Sequence, residues 1–236
     1  MDSGRWRRTA ALQEGLLTRA QLREHGINRW AISHRVETGR WLDLTPTVIA
    51  TTSGPLTRIQ LMWAGVLEAG PGAHIGEVTA AEVAGLRNWW RDEVTVVVPY
   101  LNRPPTALSG VVFRRSRRDL AAMTRRACGL PVSRIEPAVL LWASRQSSAR
   151  TADGIVAAAV QQRLAAPDAL AEWIERLSPL RQASRFRRLL IDVAGGAHSA
   201  AELDVKRMCK VFGLAPPQRQ VRRRDSSGRI RYTDCE

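Results

Sequence analysis

The chain has 236 residues, enough for two domains with full cores, and a formal charge of +14 with an isoelectric point near 11.3. That charge points to a polyanionic partner. Only Lys206 and Lys210 are lysines, however. The bias toward arginine and alanine is one that a GC-rich genome writes into all its proteins, so charge supports nucleic-acid binding without establishing it. No apolar run approaches the roughly 20 residues that cross a bilayer, and the arginine-rich start has no apolar signal segment. A cytoplasmic protein with no membrane partner is expected. The cysteines Cys128, Cys209 and Cys235 are scattered and odd in number, which suggests a reducing compartment. His25, His34, His74 and His198 share no metal-ligand spacing with each other or with the cysteines. No structural metal and no cofactor are expected.

The first informative stretch is LTRAQLREHGINRWAISHRVETGRWLDLTPTVIA, residues 17–50. Thr18 with Gln21 three residues on is a capping box, Leu22 follows on the apolar side, and Gly26 stops that helix. Asn28 caps a second helix in which Ile32 and Val36, four apart, share a buried face, and Gly39 ends it. Trp41-Leu42 and Val48-Ile49 read as strands joined through Thr45-Pro46-Thr47. Two helices, a tight turn and a small hairpin make a winged helix-turn-helix, whose second helix enters the major groove of DNA.

At about 100° per residue, Trp30, Ser33, His34 and Glu37 lie away from the buried stripe, with Arg29 on its edge. Arg29 could reach a guanine edge or a phosphate, and Ser33 and His34 a base or backbone oxygen. Glu37 argues against deep insertion of its own turn, since it would face phosphates. Arg40 at the root of the wing, and Arg5, Arg7 and Arg8 ahead of the first helix, read as phosphate contacts that give affinity rather than specificity. The alternative, an ordinary solvated face, stays open for each of them.

After a linker at Thr51-Thr52-Ser53-Gly54-Pro55, residues 54–195 read as a mixed α/β domain with a helical second half. Ile59, Met62, Trp63 and Val66 form an apolar helical stripe that Gly70-Pro71-Gly72 breaks. A short helix is predicted over 79–85, a buried strand over 93–98, a proline-containing loop over 103–109, and strands over 111–114 and 131–134. Helices are predicted over 136–144, 151–164, 167–177 and 184–193, with Pro167 at a first helical position. No phosphate-binding glycine loop and no nucleophile elbow is present.

The pieces resemble, in order, the actinobacterial proteins grouped with the AbiEi-type antitoxins. The matching stretches are LLTRAQLREHGINRWAISHRVETGRW, GPGAHIGEVTAAEVAGL, EVTVVVP followed by GVVFRRSR, and GLPVSRIEPAVLLWAS. Relatives usually carry Pro-Gly-Val-Tyr at the wing turn where this chain has Pro46-Thr47-Val48-Ile49, which predicts a reshaped turn. The resemblance implies double-stranded DNA as partner, often the protein's own promoter, and opposition to a nucleotidyltransferase-like toxin encoded nearby.

Residues 196–236 resemble the opening of a Vsr-like, restriction-endonuclease-like domain. The resemblance matches Glu202 to an acidic residue on a helix and Asp234 to a metal-binding carboxylate delivered by a hairpin. Val221 to Arg224 and Arg229 to Tyr232, joined by Asp225-Ser226-Ser227-Gly228, fit that hairpin. The Glu-x-Lys strand that completes such a magnesium site is absent from the sequence, which stops two residues after Asp234. No catalytic residue, no metal site and no nuclease activity are therefore expected, with Glu202 and Asp234 as vestiges. The whole reads as an α+β protein in three parts, 1–53, 54–195 and 196–236: a winged helix-turn-helix, a mixed domain and an incomplete endonuclease-like tail. Its expected role is that of a regulator or antitoxin. The alternatives are a nuclease-family protein inactivated by truncation and a degenerate product of a frameshift.

Overall fold

The computed structural model describes residues 4–194, 208–209, 212–213, 219–224 and 229–235. The fold is mixed α+β, and the chain divides into two compact units, Met1–Ala138 and Val139–Glu236.

The first unit opens with helix α1 (Arg5–Leu12), strand β1 (Leu16–Thr18), α2 (Arg19–Glu24), α3 (Arg29–Glu37), β2 (Leu42–Asp43) and β3 (Val48–Ala50). The capping box at Thr18 forms: its hydroxyl accepts from the Gln21 amide at 3.1 Å, and the Gln21 side chain accepts from the Thr18 amide at 2.9 Å. Gly26, at φ 78°, closes α2 with paired bonds from Gly26 N–H to the Arg23 carbonyl and from Ile27 N–H to the Leu22 carbonyl. Asn28 caps α3 by accepting from the Ala31 amide at 2.9 Å.

In this stretch the structure adds two elements to the sequence reading. Arg5, Arg7 and Arg8 stand on a helix of their own, and β1 pairs antiparallel with β3 on the side opposite β2. Because side chains alternate along a strand, β1 and β3 serve two cores. Leu17 and Ile49 pack with Leu22, Ile32 and Trp41 beneath the helices. Leu16, Val48 and Ala50 pack with residues further along the chain.

Those residues begin with α4 (Arg58–Ala69), which carries Met62, Trp63 and Val66 into the second core. Ile59, expected in the same stripe, is exposed instead, since it lies one turn before the packed part of the helix. Then follow β4 (His74–Ile75), α5 (Glu77–Val83), β5 (Val94–Pro99), β6 (Val111–Ser116), α6 (Leu120–Met123), β7 (Thr124–Ala127) and β8 (Leu130–Ser133). The five strands form one mixed sheet in the order β6-β5-β4-β8-β7. Helix α4 lies close on it at Gly65, where a Cβ would stand 2.8 Å from Val96 Cγ2 and 3.1 Å from Val111 Cγ1. Leu16, Val48, Ala50, Val94, Val96 and Val98 share this core, so apolar packing runs across the expected boundary at residue 53.

His74 is buried on β4, with Thr124 Oγ1 3.1 Å from its Nδ1; that hydroxyl donates to the Leu120 carbonyl at 2.7 Å. Burial holds the imidazole pKa down to about 4, against a smaller opposing pull from the Gly72 backbone. The folded state therefore binds fewer protons than the unfolded chain between the ordinary pKa and about 4. His74 contributes full stability above pH 6.5 and loses about 3 kcal/mol of it as pH falls toward 4. Urea titrations at stepped pH should show that slope, and it should be absent in His74→Asn.

Helix α7 (Ile135–Ser144) spans the division between the units. The second unit continues with α8 (Ala149–Gln161), α9 (Pro167–Arg176), α10 (Ala183–Ala194), β9 (Arg219–Arg224) and β10 (Ile230–Cys235). Pro167 starts α9 as expected. Strands β9 and β10 pair antiparallel with Ile230 opposite Arg224 and Tyr232 opposite Arg222, so the tail hairpin forms at the backbone level. Phe186, Leu170, Ile174 and Ile155 are fully buried. The Arg185 guanidinium on α10 donates to the buried Asp153 carboxylate on α8 through Nε at 2.6 Å and Nη2 at 2.7 Å. Asp153→Ala strands a partly desolvated cation and should cost about 2–4 kcal/mol in chemical denaturation. Adding Arg185→Met should restore most of the loss; a double variant no better than the single would contradict this account of the pair.

Candidate nucleic-acid interface

Helix α3 is held from its buried side and bare on the other. Ile32 is buried and Val36 half-buried against the first core, while Arg29, Trp30, His34 and Glu37 are exposed and Ser33 is half-buried. Trp30 is 74% exposed, and its ring stacks on that of His34 with centroids 5.5 Å apart and planes 3° apart. One turn apart on α3, the two rings present a flat aromatic platform flanked by Arg29.

Trp41 is the hub beneath this helix. It is 5% exposed, although it lies just before β2 rather than within it. Trp6 of α1 meets it edge-on at 5.4 Å, and the Arg35 guanidinium of α3 lies 4.8 Å from its ring centroid. Trp41 thus ties α1, α3 and the small sheet together. Arg5, Arg7 and Arg8 are exposed on α1, with Arg7 also 5.2 Å from the Trp6 ring, and Arg40 is exposed after α3. The residues expected from the sequence to contact DNA therefore fall on two helices and a turn that share one aromatic anchor.

The turn between β2 and β3 is tied to α4. The Glu68 carboxylate of α4 accepts hydrogen bonds from the Thr45 hydroxyl at 2.6 Å, the Thr47 hydroxyl, and the Thr106 amide at 2.8 Å. Burial pushes that carboxyl up, but these bonds outweigh it and hold the pKa below the usual value. Thr47 supplies one of the bonds. Reading the sequence alone missed Glu68, because nothing local marks a carboxylate whose partners lie 21 to 38 residues away.

Glu202 lies outside the described residues, and Asp234 is placed on β10 by its backbone. Among the described residues, no group of three or more His, Cys, Asp or Glu side chains could hold a metal ion, and no helix is long and apolar enough to cross a membrane.

The two exposures separate the tryptophans energetically. Trp41→Ala should destabilise the protein by about 3–5 kcal/mol, in the range for a truncated buried aromatic, and Trp30→Ala by less than about 0.5 kcal/mol. Thermal melts of equal depth for the two variants would contradict this placement.

No family model matches the chain, and no curated protein matches it. In fold it is similar to the crystal structure of the RV2827C protein from Mycobacterium tuberculosis, with a TM-score of 0.51 at 17% identity, covering 84% of this chain and 79% of that one.

Proposed function

We propose that the protein is a DNA-binding transcriptional regulator, an antitoxin or autorepressor, in which α2, α3 and the β2–β3 hairpin act as a winged helix-turn-helix. The observation that carries this reading is α3 itself. It is capped at Asn28, anchored through Ile32 and Trp41, and bare over Arg29, Trp30 and His34. Inserted in a major groove, Arg29 would donate to a guanine edge or a phosphate, and His34 and Ser33 to base or backbone oxygens. The exposed arginines of α1 and Arg40 would hold the phosphates on either side. The net charge of +14 gives the electrostatic attraction. By its resemblance to the AbiEi-type antitoxins, the DNA would be the promoter of its own operon and the opposed partner a nucleotidyltransferase-like toxin.

The test is a mobility-shift titration of the full chain on the duplex upstream of its own gene, against a scrambled duplex, at several salt concentrations. The full chain is used because Leu16, Val48 and Ala50 belong to the core they share with α4. Specific binding with a clear salt slope is expected. Arg29→Ala should cost about 1–3 kcal/mol and relax preference at one base position. No binding above the scrambled level at low salt would overturn the reading.

A further inference from the structure

A cleft of about 1920 Å³ opens in the first unit, with α2 and the start of α3 on one side, α4 on its floor, and the segments after β5 and β6 on the other side. Arg23, Arg29 and Ser33 line the first wall; Tyr100, Arg117 and Arg118 line the second. That second wall carries none of the DNA contacts read from the sequence, yet it is built to present charge. The Tyr100 amide donates to the Ser116 carbonyl at 2.8 Å, continuing the parallel β5–β6 pairing. Asn102 Nδ2 donates to the Ala69 and Pro71 carbonyls at 2.9 Å each, which fixes the turn to the end of α4. Arg115 Nη2 donates to the Tyr100 carbonyl and, at 3.1 Å, to that of Asn102. The guanidinium carbons of Arg115 and Arg117 lie 4.6 Å and 4.1 Å from the Tyr100 ring centroid.

Arg117 is exposed, and among the described residues no carboxylate pairs with it, with Arg23 or with Arg29. Six arginines line the cleft, Arg19, Arg23, Arg29, Arg117, Arg118 and Arg126, against the four carboxylates Glu24, Asp43, Glu68 and Asp119, of which Asp43 is paired with Arg19 at 2.6 Å, so the lining stays net positive. Arginines from both sets of elements border one opening, which suits a phosphate strand lying over it.

We infer that the Tyr100 turn is a second DNA-backbone contact, in which Arg117 and Arg118 grip phosphates of the duplex that α3 reads. This rests on the DNA-binding reading above, and the experiment separates the two. The full chain and its Arg117→Gln/Arg118→Gln variant are titrated with the operator duplex and the scrambled duplex over a range of salt. The variant's log-log salt slope should fall by roughly two, with affinity reduced about tenfold or more on both duplexes and discrimination between them unchanged. Arg117→Lys/Arg118→Lys, which keeps both charges, should keep the slope and shows that folding is not the cause. An unchanged slope in the glutamine variant, while Arg29→Ala still weakens binding, would overturn this inference and leave α3 as the reader. Wild-type chain without salt-dependent binding would overturn both.

Discussion

Strand β3 has no solvent face, and the arrangement of the first unit follows from that. Val48, Ile49 and Ala50 are all fully buried, alternating between the core under α1, α2 and α3 and the core of α4 and the five-stranded sheet. Leu16 and Leu17 of β1 divide in the same way. A strand buried on both faces reads as a continuous apolar run, and its register cannot slip by one residue without exchanging the contents of both cores. Glu68 adds a polar lock at the same junction, tying the turn between β2 and β3 to α4 and to the loop before β6. With its pKa held down, this lock is intact at neutral pH and loosens as pH falls through the carboxylate range. The small sheet is therefore a party wall, and α3 is presented on a rigid mount.

Rigidity of that kind matters for the proposed function. A helix that reads base edges must hold its side chains in register with the groove, and ordering it on binding would cost affinity. Here α3 is fixed at its start by Asn28, along its length by Ile32, and near its end by Arg35 over Trp41. The turn between β2 and β3 is engaged with Glu68. In the proposed reading, the backbone contacts would fall to α1, Arg40 and the Tyr100 turn.

The local signals in the sequence were strong where the structure is local. Thr18 with Gln21, Gly26 and Asn28 each mark a boundary through bonds that span three to five residues, and all three form. The helices of the second half were legible for the same reason, from apolar spacing and from Pro167. What the sequence hid depends on distant pairing. Strand β1 is three residues long and is a strand only because β3 lies beside it. His74–Ile75 is a two-residue strand set between β5 and β8. The cleft could have been suspected from the arginines of FRRSRR, which end β6 and follow it, but only folding brings Arg117 to the same opening as Arg29. The alternation of β3 between two cores likewise required both cores to be in view, and it is why apolar packing continues past residue 53.

Amide hydrogen exchange of the full chain, with and without saturating operator duplex, addresses the central claim most directly. If α3 is the reading helix on a rigid mount, amides of residues 28–40 should gain protection with the duplex, while those of α8 in the second unit stay unchanged. Protection that appears elsewhere and leaves residues 28–40 as in the free protein would contradict the account.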